Sequence, residues 1–569
     1  MKGGFRQSMA WLHTWSGLLV GWVLFMVFAS GTSAYFREEI SFWMKPELHR
    51  TPAEPAAEQA QAVDQALRLL EREGAGSPRW TIGLPDARDP SVQVSWLQPK
   101  PPAGGGARPR PLTVNLDPAT GERLADTRAT RGGDFLYRLH FDLHYMPAMW
   151  ARWIIGFCAM SMLVAIVSGV VTHRRIFSDF FTFRPRKGPR SWLDAHNAAA
   201  VLALPFHLMI TYTGLVTLMF MYMPWGAQAV YKGDEKTFTA EAFPNARANV
   251  PQKAAGRPTP LVPIAPLLEQ SRAHWQGRAA ARVVVTLPGD ANAAITIYRD
   301  DSANLSANYA SMVFDGTTGR LIETRGENIP PASETRGVFV GLHMAHFAGP
   351  LLRGLFFLSG LAGCLMVATG LLMWAVKERP KHAKALARGG RIGFGLRLVD
   401  GLNIGAIAGL PLAIAAYFWA NRLIPVGIAG RPDREIAAFF TVWGVAALAG
   451  ILWPSRRMWQ VQLTVGGMLF ALVPLLNPLT GGSGLFTAAS SGHWNLVGVD
   501  TVCLLLGAGL LSSAWWLARR QASARGAGTQ APRRAASNTT AAAAAAPLQP
   551  EPSLAPARHA LGAAESASP

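Results

Sequence analysis

Apolar runs close to 20 residues long recur along this chain, and each can carry a helix across the roughly 30 Å hydrocarbon core of a bilayer. No other feature constrains the fold as strongly, because backbone in lipid must satisfy its own hydrogen bonds, which a helix does within one segment. The runs place eight spans, near residues 10–35, 151–173, 193–222, 351–376, 398–420, 436–454, 458–477 and 494–517. The first is too long for a signal-peptide core and lacks a small-residue cleavage site, so it reads as a retained span. The expected fold class is a membrane all-α helical bundle carrying small α+β domains on one side.

The formal net charge of +19 does not point to nucleic acid, because the basic residues crowd into short loops. Arg174, Arg175, Arg184, Arg186, Lys187 and Arg190 form one group, and Lys377, Arg379, Lys381, Lys384, Arg388 and Arg391 another. Arg456/Arg457 and Arg519/Arg520 follow. By the positive-inside bias these loops are cytoplasmic, and the alternation puts both termini on that side. Cys158, Cys364 and Cys503 all fall within apolar spans, where packing is the expected role.

The layout follows: span 1 in 1–35, an outer domain at 36–148, span 2 at 149–174, a basic loop at 175–192 and span 3 at 193–222. A second outer domain occupies 223–349, span 4 350–376 and another basic loop 377–397. Four further spans fill 398–517, and an Ala/Pro/Ser/Arg-rich tail, expected to be disordered, runs over 518–569.

The two outer segments read as copies of one design. Residues 57–73 and 263–275 have helical patterning, and strand-like stretches follow each. "NLDPATGERL" and "VFDGTTGRLI" both give a strand, an Asp-initiated turn with Gly, then a second strand. The Gly/Pro-rich stretch 99–109 reads as a loop. The duplication extends into the spans: "LHTWSGLLVGWVLFMVFASG" aligns without gaps on "AHNAAAVLALPFHLMITYTG", placing His13 on His196 and Gly31 on Gly214. "RLHFDLHYMP" likewise matches "GLHMAHFAGP", and each leads into an apolar helix ending near a glycine. The first 380 residues thus read as two parallel copies of helix, outer domain, helix.

Histidines mark both ends of these copies. His13, His173 and His196 lie near inner span ends, His140, His144, His343 and His346 near outer ones, and His207 deep in span 3. His196 and His207, eleven residues apart, would share one face of a straight helix and stand about 16 Å apart along it. A single intramembrane histidine usually makes one hydrogen bond, but duplicated histidines in register with a repeat are brought towards a common axis. His13 with His196, and His140 with His343, are the facing pairs that bis-imidazole haem ligation needs. Zinc is the competing metal; no HExxH motif, cysteine partner or carboxylate cluster accompanies these histidines. Asp194 and Asp142 are candidates to orient the imidazoles, and Gly17, Gly21, Gly214, Trp11, Trp15 and Phe206 to make room for a macrocycle. Haems at the extremes, His173 and His144, would stand about 43 Å apart, which leaves His207 as a ligand of the inner haem or of an additional one.

These motifs, over about residues 5–380, resemble the PepSY-associated transmembrane proteins, most clearly from "RLHFDLHYMPAMWARW" to "GLHMAHFAGPLLRGLFFLSG". The family includes iron-regulated inner-membrane proteins and ferric-siderophore reductases with two b-type haems. The resemblance implies His13, His196, His140 and His343 as axial ligands, with His144, His173 and His207 matching a longer histidine-rich motif. It implies an enzyme of the bacterial inner membrane that reduces a periplasmic ferric siderophore or other Fe(III) chelate and so releases Fe(II). No GxGxxG fingerprint follows a strand, so the electron donor would be a quinol or a cytoplasmic reductase. Competing readings are a PepSY-type sensor or regulator of periplasmic proteolysis, and a siderophore or metal transporter with Asp500 as its intramembrane carboxylate.

Overall fold

The computed structural model describes residues 4–49, 59–86, 88–97, 111–124, 127–173, 184, 187–243, 253–390 and 393–529, without the side chains of 384, 385 and 521–529. Met1–Leu517 forms one compact unit and Ala518–Pro569 a second. The first half of the family-like region contains α1 (Phe5–Ala34), α2 (Arg37–Trp43), α3 (Gln59–Glu73), β1 (Arg79–Gly83), β2 (Val92–Leu97) and β3 (Pro111–Leu116). It closes with α4 (Gly132–Asp142) and α5 (Ala148–Thr172). The second half opens with α6 (Pro189–Leu202), α7 (Leu204–Thr217), α8 (Met219–Tyr222), α9 (Trp225–Tyr231), α10 (Glu235–Ala242) and α11 (Ala265–His274). Strands β4 (Ala280–Thr286), β5 (Ala294–Arg299), β6 (Ser311–Asp315) and β7 (Leu321–Arg325) precede α12 (Pro331–Met344) and α13 (Pro350–Ala387).

The C-terminal part is helical: α14 (Phe394–Asn403), a π-helical turn (Ile404–Ala408), α15 (Gly409–Leu423), α16 (Arg431–Leu452), α17 (Arg456–Leu479), α18 (Leu485–Ser490) and α19 (Trp494–Thr529). Residues 518–529 of the expected tail therefore continue α19, and the rest of the tail lies outside the described residues, as does the 99–109 loop.

Among the described residues seven helices are long and apolar enough to cross a membrane, and an eighth span is made if α6 and α7, bent by 67° at their break, count as one. The bend corrects the expectation of one straight third span. Pro205 lacks a backbone N–H and its ring opposes the preceding turn, so the helix stops at Leu202 and restarts at Leu204. His196 and His207 thereby lose the shared helix face.

The two outer segments are not separate sheets. They form one antiparallel seven-stranded sheet of order β3-β2-β1-β4-β5-β6-β7, joined where β1 pairs with β4, Trp80 opposite Val285 and Ile82 opposite Val283. One core runs beneath both halves. Ala62, Val63, Ala66, Leu69 and Leu70 of α3 share a helical face and pack with Leu267 and Leu268 of α11 on Trp80, Ile82, Val94, Val283, Ile295 and Phe314. Both Asp-initiated turns form: Asp117 accepts from the N–H groups of Ala119 and Thr120, and Asp315 from those of Thr317 and Thr318. Beyond the first turn the described residues of the expected strand pair through a single bridge, Leu116 with Arg123, and 125–126 lie outside them.

The C-terminal helices pack on α1 from Leu18 onward and on α4. Phe135 of α4 sits among the rings of Tyr417, Phe439 and Phe440 at centroid distances of 4.9, 5.0 and 6.0 Å. Trp22 of α1 donates from its indole to Asn403 Oδ1 at 2.8 Å.

Candidate functional site

Two histidine pairs face one another across the repeat-like halves. The rings of His13 (α1) and His196 (α6) have centroids 6.2 Å apart and planes inclined by 72°. Those of His140 (α4) and His343 (α12) are 6.1 Å apart and inclined by 37°. Neither pair is joined by a third donor: among the described residues no three His, Cys, Asp or Glu side chains converge as a metal set.

Every one of the four imidazoles sits in the same kind of seat. His13 Nδ1 donates to Ala165 O, His196 Nδ1 to Met366 O and His140 Nδ1 to Val27 O, each at 2.8 Å. Four residues beyond each carbonyl is a glycine against which the ring lies: Gly169, Gly370 and Gly31. His343 rests on Gly214, bonds the backbone of Ile210, again four residues earlier, and donates from Nδ1 to Thr213 Oγ1 at 3.1 Å. A Cβ on any of these glycines would come within 2.6–3.2 Å of a ring atom, so a larger residue crowds the ring at every seat.

A hydroxyl residue precedes each glycine. Ser30, Ser168, Thr213 and Thr369 are buried and bond back to the carbonyl four residues earlier at 2.6–2.7 Å. The signal was present in the sequence among the Ser/Thr-Gly dipeptides of the apolar helices, where the repeat matched Gly31 with Gly214 and the helix-ending Gly169 with Gly370.

With Nδ1 committed as a donor, the neutral form of each ring carries its lone pair on Nε2. No hydrogen bond occupies Nε2 of His13, His140, His196 or His343 among the described residues. For the outer pair, which precedes spans 2 and 4, burial lowers the pKa of both histidines. That of His343 falls to about 3, burial acting first and the neighbouring His140 second.

The other expected ligands lie elsewhere. His144 follows α4 in a left-handed conformation and stacks on Phe440 at 5.6 Å, away from His140. His173 ends α5 and accepts from Asn197 Nδ2 at 2.9 Å. His207 is fully enclosed, with its ring edge-on to Phe28 at 5.8 Å and Nε2 3.3 Å from Ser359 O, and faces no second histidine. Measured along α1, the outer seat at Val27 lies 14 residues from His13, about 21 Å of helix rise. That is half the span between His173 and His144.

The expected carboxylate partners are also committed to other groups. Asp194 pairs with Arg184 and Arg190, and Asp142 with Arg152 and Arg138. Backbone carbonyls, not carboxylates, orient the rings. Of the glycines and aromatics expected to make room, Gly214 seats His343, whereas Gly21 packs on Leu371 and Gly17 has no close neighbour. Asp500 accepts from Trp43 Nε1 at 2.7 Å, and Asn477 bridges it to Arg422, so it fastens α19 to the segment behind α1.

Apolar spans, one outer sheet and two histidine pairs lodged between helices define a multi-pass helical membrane protein with paired imidazole sites. Residues 10–377 match the model of the PepSY-associated TM region, and the chain belongs to that family. It is also similar to a Pseudomonas aeruginosa protein described as "Uncharacterized protein PA4219", 26% identical over 418 residues that cover 68% of this chain and 96% of that one.

Proposed function

We propose that this chain is an inner-membrane oxidoreductase holding two b-type haems, one between His13 and His196 and one between His140 and His343. It would deliver electrons to an Fe(III) chelate on the outer side. The observation that carries this reading is the fourfold seat: each imidazole has Nδ1 spent on a helix carbonyl or hydroxyl, and each pair has its ring centres 6.2 or 6.1 Å apart.

The residues fit the group. Two imidazoles bound through Nε2 to one metal at the usual nitrogen–metal distance of about 2 Å have ring centres about 6 Å apart, and the pairs stand at 6.2 and 6.1 Å. A lone zinc ion needs three or four protein donors, whereas a porphyrin brings four nitrogens of its own and asks the protein for two. When bound, haem supplies one-electron chemistry at iron. The chain's own part is to hold each Nδ1 as a donor and so each ring in one orientation, packed against a helix glycine.

The partner reading follows from hard–soft chemistry. Fe(III) is held by hard oxygen ligands, and reduction to Fe(II) weakens that hold, so a reductase on the outer side would release iron from a siderophore. The basic loops at 184–190 and 377–391 support an inner face there, with both termini cytoplasmic. The pairing of β1 with β4, the first strands of the two segments, supports an internal duplication with PepSY-like halves. A quinol or a cytoplasmic reductase would supply the electrons.

An absorption spectrum of the detergent-purified protein tests the reading. Dithionite should bring up sharp b-type bands at about two haems per chain, and His13→Ala or His343→Ala should each remove about half of them. A colourless, iron-free preparation overturns it.

A further inference from the structure

A cavity of about 420 Å³ opens in the second half of the sheet, lined among others by His274, Trp275, Arg278, Arg299, Asn304 and Glu327. It is built around an enclosed carboxylate. Asp301, with a side chain 0% exposed, accepts from Arg299 Nε at 2.6 Å, Asn304 Nδ2 at 2.7 Å and the Ala310 N–H at 2.7 Å. Arg278 stands 4.0 Å from the same carboxylate and donates through Nη1 to Asn304 Oδ1 at 2.8 Å. One carboxylate therefore holds two guanidinium groups in place.

The balance of donors and acceptors is uneven. Each guanidinium brings about five N–H donors, and both carboxylates nearby have a protein partner. Asp301 is buried under Arg299, and Glu327 is bonded to His274 Nε2 at 2.6 Å. The indole N–H of Trp275 is buried without an acceptor among the described residues. Arg278, with its side chain 49% exposed, is the cation left facing outward. A molecule that settles against Arg278 is favoured by oxygen acceptors with negative charge.

Two walls of the cavity run into the helix that carries His343. Asn304 adjoins Leu305, whose carbonyl packs so closely on α12 that a Cβ at Gly341 would stand 1.6 Å from it. Gly341 is two residues, about 3 Å of helix rise, from His343. Glu327, on the opposite wall, lies on the short link into the start of α12.

The geometry points to this cavity as the docking site for the electron acceptor, an Fe(III) chelate with carboxylate or phenolate oxygens on its periphery. The inference rests on the reading that the His140/His343 pair carries haem, but its binding step can be measured without haem.

The probe is gallium(III) citrate, which mimics the ferric complex and is not reduced, titrated by calorimetry into the full-length protein in detergent. Arg278→Ala should weaken binding about tenfold, as expected for losing one charge-assisted contact. Arg278→Lys should fall between the variant and the parent, and Trp275→Phe should cost a few-fold. In dithionite-reduced protein, reoxidation by ferric citrate should need a higher half-saturating concentration in Arg278→Ala, with an unchanged limiting rate and unchanged haem bands. Unchanged gallium citrate affinity in Arg278→Ala overturns the docking site, whatever the haem content. Free citrate binding as tightly as its gallium complex overturns the chelate as the ligand. Haem-free protein that still binds gallium citrate through Arg278 supports the docking site and sinks the electron-transfer reading alone.

Discussion

The Nδ1–H of His140 donates to the carbonyl of Val27 at 2.8 Å while the same imidazole lies against Gly31, four residues further along α1. One helix thus supplies both the acceptor that fixes the tautomer and the bare backbone that lets the ring approach.

The four glycine seats differ in tightness, which orders their tolerance of a methyl group. A Cβ would stand 2.6 Å from the ring at Gly31, 2.9 Å at Gly214, 3.0 Å at Gly169 and 3.2 Å at Gly370. On the proposed two-haem reading, Gly31→Ala should therefore cost most of the haem at the His140/His343 pair, and Gly370→Ala should retain most of that at the His13/His196 pair after a shift of a few tenths of an ångström. Haem-to-protein ratios from pyridine haemochrome spectra would measure the order; equal losses in the two variants would contradict it.

The ring planes are inclined by 72° in the inner pair and 37° in the outer. Axial imidazoles set near to perpendicular leave the iron π-orbitals close in energy, and closely spaced orbitals give a low-spin ferric ion its greater magnetic anisotropy. Frozen oxidised protein should show two low-spin paramagnetic resonance signals, the one with the larger maximum g belonging to the inner site. His196→Ala should remove that signal and leave the other.

Outside the spans, His49 is buried beside Phe42 and the loop after α17, and burial, reinforced by Arg422 and His493, lowers its pKa to about 3. The folded state holds this imidazole neutral, whereas the unfolded chain takes up its proton below about 6.5. Its effect on stability is therefore unpenalised above about pH 6.5 and declines as the pH falls towards 3. His49→Gln should remove that decline, so the thermal midpoint of the parent minus that of the variant should shrink from pH 7 to pH 4. A constant difference would show that His49 does not titrate between the two states.

Phe135 is held by Tyr417, Phe439 and Phe440 on the same helix that presents His140. Phe135→Ala should cost about 3–5 kcal/mol of packing and loosen α4 against the C-terminal helices. The expected readout is partial loss of the outer haem with the inner one intact, seen as selective loss of one resonance signal. Loss of both to the same extent would point to general unfolding instead.

Much of this arrangement was legible in the sequence because it is carried by local patterns. The apolar runs gave the spans, Asp117 and Asp315 announced their turns, and the alignments of His13 with His196 and of His140 with His343 named both pairs. The bend at Leu202–Leu204 was written in Pro205 but outweighed by the apolar run around it. The carbonyl seats were beyond reach, since His140 and Val27 are 113 residues apart and His13 and Ala165 152. No periodicity within one helix reports which carbonyl a distant ring will find. The merging of the outer segments was hidden for a similar reason: β1 and β4 each look like the start of a separate sheet, and only pairing across about 200 residues makes them one.

That shared sheet has a consequence for any attempt to divide the molecule. Each histidine pair draws one ring from either side of the β1–β4 seam, so a fragment ending after α5 would own half of two sites and all of none. It would also present β1 as a bare edge, open to whichever strand arrived first. A chain of half this length could do the same work only by finding its twin. Here the twin is covalent, and the dose of one half is always matched to the other.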